Sequence, residues 1–81
     1  MIISVHFYSY FKELTGCTEA RVEVQDNCTI EQLLEVAYLM FPKLIAMQKS
    51  MLIAVGLDYQ TRSFQLSEGD EVSLFPPVQG G

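Results

Sequence analysis

The sequence predicts a single α+β domain, on three observations. Both ends of the chain alternate apolar and polar residues with a period of two, whereas the middle carries one amphipathic stretch at helical spacing. A capping box opens that stretch, which fixes where the helix begins. A short apolar run, residues 51–55, then separates the helix from the last strand. Strands before and after one helix give the order β-β-α-β-β, a pattern satisfied by one helix laid across one face of a sheet.

Ile3, Val5 and Phe7 alternate with Ser4, His6 and Tyr8, so residues 2–8 form the first strand with the odd-numbered face inward. Residues 9–14 read as a short helical turn closed by Gly16. Alternation resumes over residues 19–24, with Ala20, Val22 and Val24 on one face, and completes a hairpin with an elaborated connection. In Thr29-x-x-Gln32, the hydroxyl and the amide side chain each satisfy a backbone donor at the helix start, and Glu31 complements the helix dipole. Ile30, Leu33, Leu34, Ala37 and Met40 keep one helix face apolar until Pro42 ends or sharply turns it. Residues 42–48 read as a further short helical segment with Pro42 at its first position. The run at 51–55 is expected as a central strand buried on both sides, followed by a turn at 56–59. Phe64 and Leu66 fall on either a short strand or an irregular connection. Ser67-Glu68-Gly69-Asp70 is a tight turn into the last strand, where Val72 and Leu74 face in and Ser73 and Phe75 face out. Together these elements make a β-grasp arrangement: a mixed sheet of four to five strands with one main helix packed across it.

With 81 residues the chain has room for one small core, and a domain of this length buries roughly 60 to 65% of its unfolded surface. A hydrophobic fraction of 49% supplies that core and leaves apolar surface over. The net charge of −5 argues against nucleic acid or an anionic membrane as partner and favours basic protein partners. Cys17 and Cys28 fit neither a metal-ligand spacing nor a CxxC pair, so no metal site is expected and both read as free thiols in a reducing compartment. No basic segment leads into an apolar run at the start, and residues 51–55 are too few to span a bilayer, so the expectation is a cytoplasmic, unprocessed protein. The chain lacks a Ser-His-Asp order, HExxH, a Walker loop and GxGxxG, the usual means of running a reaction alone. His6, the one histidine, is assigned to the open sheet face as a structural or exposed residue.

The chemistry concentrates after the last strand. The reading divides the chain into a domain over residues 1–75 and a tail over residues 76–81. Pro76-Pro77 denies the sheet two donors and makes a stiff extended spacer, which continues through Val78 and Gln79 to a narrow Gly80-Gly81 tip. Glycine leaves the last carbonyl carbon unshielded, so the carboxylate of Gly81 is the candidate reacting group. Tyr8, Tyr10 and Phe75 are outward aromatics that mark a protein interface. Glu68, Asp70 and Glu71 are assigned to the base of the tail, either as a solvated turn or as charges that steer a basic partner.

The run from Leu66 to Gly81, with its GDEVxxFPPVxGG pattern, resembles the C-terminus of the small subunit of molybdopterin synthase, the MoaD family of ubiquitin-like sulfur carriers. Phe11-Lys12-Glu13-Leu14-Thr15-Gly16 resembles that family's segment after the first strand, and length and element order agree along the chain. Lys12 stands where the family often has arginine and so lacks the planar fork for a partner carboxylate. Ala54-Val55-Gly56 replaces a frequent AVN and changes only a turn. The resemblance implies that the Gly81 carboxylate is adenylated with ATP by an enzyme similar to ubiquitin-activating enzymes. Sulfur from a donor protein then displaces AMP and leaves a thiocarboxylate. Pro76, Pro77, Val78, Gln79 and Gly80 would carry it into the large subunit of molybdopterin synthase, with Phe75, Tyr8, Tyr10 and Lys12 at the interface. There cyclic pyranopterin monophosphate would receive sulfur to form the molybdopterin dithiolene of the molybdenum cofactor. The resemblance further implies a heterotetramer, no permanently bound cofactor, and a sulfur-donating subunit that is not catalytic on its own. The alternatives are a sulfur carrier of the thiamine pathway, or a ubiquitin-like conjugation or interaction module whose terminal glycine joins a lysine amine.

Overall fold

The structure, a computed structural model, describes residues 1–77. Period-two alternation produces β1 (Ile2–Phe7), β2 (Glu19–Glu23) and β5 (Glu71–Phe75), with β3 (Leu52–Val55) and the two-residue β4 (Asp58–Tyr59) between them. The helices are α1 (Phe11–Thr15) and α2 (Ile30–Met40), and a 3₁₀ helix follows at Pro42–Met47. The strand order is β2-β1-β5-β3-β4. β1 pairs with β5 in parallel, and every other pair is antiparallel. This is the mixed β-grasp sheet that the element order predicts.

Side-chain parity decides which face is covered. The register aligns Val5 with Val72, and Leu74 with both Phe7 and Ile53, so these residues form one apolar face with Ile3 and Val22. Against it α2 sets Ile30, Leu33, Leu34 and Ala37, all buried. The capping box forms: Gln32 N–H donates to Thr29 Oγ1 at 3.3 Å, and Thr29 N–H donates to Gln32 Oε1 at 2.9 Å. Such a cap stabilises the helix by about 1 kcal/mol.

Three expectations need correction, and one open alternative is decided. Met40 does not join the core; it is 45% exposed. The chain leaves the helix at Phe41, four residues after Ala37, and there the Phe41 ring meets Phe7 edge-on at 5.4 Å, taking the position that helical spacing gave to Met40. The central strand is β5 rather than β3, although Ile53 and Ala54, on opposite faces of β3, are both buried. Residues 56–59 are more than a turn, because Asp58 and Tyr59 pair with Val55 and Ala54. Residues 64–66 take the irregular alternative, bridged at Gln65 to Thr29 at the start of α2, with Leu66 buried in the core.

Candidate functional site

Parallel pairing brings the ends of β1 and β5 out at the same end of the sheet, so the residues after β1 stand beside the start of the tail. The ladder runs one residue past β1, where Tyr8 N–H donates to the Leu74 carbonyl at 3.2 Å. This fixes the Tyr8 ring against Phe75, stacked at 4.6 Å with 13° between planes. Tyr59 on β4 approaches Phe75 from its other side, edge-on at 6.5 Å and 68°. Leu52 is the register partner of Phe75 on β3. Phe75 is itself half-buried between the tyrosines, so the exposed area of the cluster comes from Tyr8 at 43% and Tyr59 at 70%. Pro76 and Pro77 follow, both half-buried.

Ser9 then turns the chain with φ +55, a conformation costing a non-glycine residue roughly 1 kcal/mol. The bend lets Phe11 enter the core while Tyr10 stays outside, 39% exposed and edge-on to Phe11 at 5.4 Å. Tyr10 therefore does not join the Tyr8–Phe75 stack. Lys12 is exposed on α1 and makes no ion pair among the described residues. Its carbonyl accepts the Gly16 N–H at 2.8 Å, and Gly16 closes the helix with φ +76.

Other sequence readings separate from this site. Glu68, Asp70 and Glu71 do not stand at the base of the tail. They sit at the start of β5, and the strand's length, about 17 Å, lies between them and Pro76. The turn itself forms as expected, with Ser67 N–H donating to Asp70 Oδ2 at 2.8 Å and Gly69 at φ +87. His6 lies on the open face, where its Nε2 is 3.1 Å from Glu71 Oε1 across the β1–β5 ladder. Cys17 and Cys28 are free, at opposite ends of β2. Burial pushes the Cys28 thiol up, with the N-terminal ammonium partly opposing it. Burial likewise raises the Tyr38 phenol. The nearby Arg62 guanidinium counters part of that shift, but its Nη2 is engaged by the Gln48 carbonyl, and the Tyr38 hydroxyl has no hydrogen-bond partner. Among the described residues, no group of three His, Cys, Asp or Glu is placed to hold a metal. No described helix is long and apolar enough to cross a membrane. Val78, Gln79, Gly80 and Gly81 lie outside the described residues.

What sequence reasoning missed here is Tyr59. Its signal was available: Gly56, at φ +60, allows a hairpin turn, and four residues lie between Ala54 and its cross-strand partner Tyr59. The arrangement around Phe75 is a ledge of aromatic rings rather than a pocket. A groove does exist between the β2–α2 connection and α2, lined by Glu23, Asp26, Gln32 and Glu35 among others, but it lies at the far end of the sheet from Pro76.

A mixed five-stranded sheet crossed by one helix, with the chain leaving from its central strand beside an aromatic ledge, defines a ubiquitin-like β-grasp domain. Residues 5–81 match the ThiS family, and the chain belongs to that family. It is 30% identical over 83 residues to the molybdopterin synthase sulfur carrier subunit of Chlamydomonas reinhardtii, with full coverage of both chains. Its backbone is similar to that of SAMP1 from Haloferax volcanii, with TM-score 0.91, 21% identity and full coverage of both. It is also similar to a chain in the complex of subunits 1 and 2 of the molybdopterin-converting factor from Helicobacter pylori, with TM-score 0.70, 21% identity and full coverage of both.

Proposed function

We propose that this chain is the sulfur-carrier subunit of a molybdopterin synthase, and that its reacting group is the carboxylate of Gly81. The observation that carries the reading is the exit of the chain from the central strand through Pro76-Pro77, directly beside the Tyr8–Phe75–Tyr59 ledge. Family membership and the sulfur-carrier name of the Chlamydomonas relative support it. The domain over residues 1–75 is the handle, and residues 76–81 are the reaching arm, about 20 Å long when extended.

A carboxylate is a poor electrophile. The Gly81 oxygen attacks the α-phosphorus of ATP on an activating enzyme, releasing pyrophosphate and forming an acyl adenylate with a good leaving group. A donor protein's persulfide sulfur displaces AMP to give an acyl disulfide. A second thiol of the donor attacks the donor-side sulfur, which breaks the S–S bond, leaves the donor as a disulfide and releases the thiocarboxylate. Pro76, Pro77, Val78, Gln79 and Gly80 then thread the sulfur into the large subunit, where cyclic pyranopterin monophosphate receives it. Phe75, Tyr8 and Tyr59 dock the handle, with Tyr10 and Lys12 at the margin of the contact. Holding the sulfur at a fixed depth relative to that contact converts an encounter into a positioned reaction. No cofactor stays bound, and ATP is consumed on the activating partner. The setting is the cytoplasm and the assembly a heterotetramer.

Intact-mass analysis of the protein after incubation with activating enzyme, ATP and sulfur donor tests this reading. One oxygen replaced by sulfur on the C-terminal peptide is the expected result. Sulfur retained on Cys17 or Cys28 in a fully active protein, or an isopeptide bond from Gly81 to a lysine in place of a thiocarboxylate, would overturn it.

A further inference from the structure

The sheet ends in two edges that are built differently. β4 is two residues long, and so short an edge offers little for another strand to pair with. β2, the other edge, runs five residues without proline or glycine. Its bonds to β1 fall on alternate residues: Phe7 N–H donates to the Thr18 carbonyl at 2.9 Å, and Val24 N–H donates to the Met1 carbonyl at 2.8 Å. In an antiparallel ladder this spacing gives the even-numbered residues of β2 to β1, and it turns the backbone N–H and C=O groups of Glu19, Arg21 and Glu23 outward. No described strand meets them.

The side chains of the same three residues share the open sheet face in the order acid, base, acid. All are exposed, and none makes an ion pair among the described residues. Charges of one sign along an edge would repel a second copy, whereas this order accepts one in a particular register. With another β2 laid antiparallel about a two-fold axis at Val22, Arg21 of each copy faces Glu23 of the other, and Glu19 faces the uncharged Gln25. The outward backbone groups of Arg21 and Glu23 then bond each other across the axis. On the opposite face Ala20 meets Val24, apolar against apolar. An axis at Arg21 would instead set Arg21 against itself and Glu19 against Glu23, so the charges select the Val22 register over its neighbour.

We propose that the β2 edge is a docking surface for a second copy of this chain, which joins two sheets into one about a two-fold axis at Val22. β1 stands between β2 and the strand that carries the tail, so Phe75 and Pro76 of both copies stay outside the contact. Because the joined strands run antiparallel, the two tails leave opposite ends of the combined sheet. One strand pair makes a small contact, and the net charge of −5 on each copy opposes it. The interface therefore belongs with weak ones, which bury less than about 1,200 Å², and its dissociation constant falls between about 10 µM and 1 mM.

Sedimentation equilibrium of the full chain from micromolar to millimolar concentration tests this, with circular dichroism to show that each variant is folded. The parent should show a monomer–dimer equilibrium. Arg21→Glu leaves an edge of three acids that no register can pair, and because each change acts twice in a two-fold dimer it should raise the dissociation constant at least about tenfold. Adding Glu23→Arg to that variant reverses both members of the pair and should restore the dimer. Glu23→Pro removes an outward N–H that the β1 ladder does not use, so it should abolish the dimer in a chain that still folds. Three results would overturn the proposal: a monomer throughout the range, a dimer indifferent to Arg21→Glu and Glu23→Pro, or amide protection of Glu19, Arg21 and Glu23 that appears only when a different protein is added.

Discussion

Removing one aromatic ring at the root of the tail should reveal how much of this surface serves the fold and how much a partner. Phe75→Ala deletes the residue held between Tyr8 at 4.6 Å and Tyr59 at 6.5 Å. A fully buried phenylalanine costs about 3 to 5 kcal/mol to truncate, and Phe75 is half-buried, so the expected loss of stability is about 2 kcal/mol. Of this, about 1 kcal/mol belongs to the offset stack on Tyr8 beyond simple area burial. Urea denaturation of Phe75→Ala, Tyr8→Ala and the double variant isolates that share as a coupling energy. The β5 ladder uses backbone groups, so the denaturant slope should stay unchanged. Calorimetric titration with the molybdopterin synthase large subunit gives the other half: loss of a central aromatic anchor should weaken association by about 2 to 3 kcal/mol, roughly 30- to 150-fold. A coupling energy near zero would mean that the rings do not support each other. An unchanged dissociation constant would mean that the ledge lies outside the contact.

Three further outcomes are expected. One residue added after Gly81 should abolish adenylation, and deletion of Gly81 should leave the tail about 3.5 Å short, beyond near-attack tolerance, while both variants melt within a few degrees of the parent; normal sulfur transfer by an untrimmed extended chain would refute the tail mechanism. Gly16→Ala places a Cβ with nothing within 4 Å but forces φ +76 on alanine, so thermal unfolding should report a loss of about 1 kcal/mol from strain alone, and no loss would contradict the left-handed cap. Burial raises both the Cys28 thiol and the Tyr38 phenol, so the folded chain keeps protons that the unfolded chain releases. Stability is then fully present below about pH 8.5 and falls as pH rises beyond it. The urea midpoint should drop between neutral and strongly alkaline pH, Cys28→Ala should flatten the first part of that drop, and a midpoint that rises would invert the argument.

The sequence made the order of elements legible because parity and capping are local properties. Ile3, Val5 and Phe7 had to share a face whatever they paired with, and Thr29 and Gln32 needed only each other. The errors came where a long-range partner decided the outcome. Phe41 displaced Met40 because Phe7, remote in sequence, offered it an edge-on contact. The acids of the 67–71 turn were assigned to the wrong end because closeness in sequence to the tail was taken for closeness in space, and an extended strand separates the two. Tyr59 escaped notice since a two-residue strand carries no periodicity to detect. Of the candidate site, Phe75 and Tyr8 were legible from parity alone, whereas their stacking required the parallel β1–β5 register.

The place of β5 in the sheet has a consequence for how the protein is made. Synthesis delivers β1, β2, α2 and β3 first, and none of these pairs can close the core, because a slot one strand wide remains between β1 and β3. Ser4 waits for Glu71 and Leu52 for Phe75. Such non-local pairing slows folding and leaves two unsatisfied strand edges facing the gap until the last strand is translated. The residues that fill the slot immediately precede Pro76, so the arm emerges from the ribosome only after the strand that completes its handle. A chain arrested before Glu71 therefore lacks both the strand that closes the sheet and the arm that follows it.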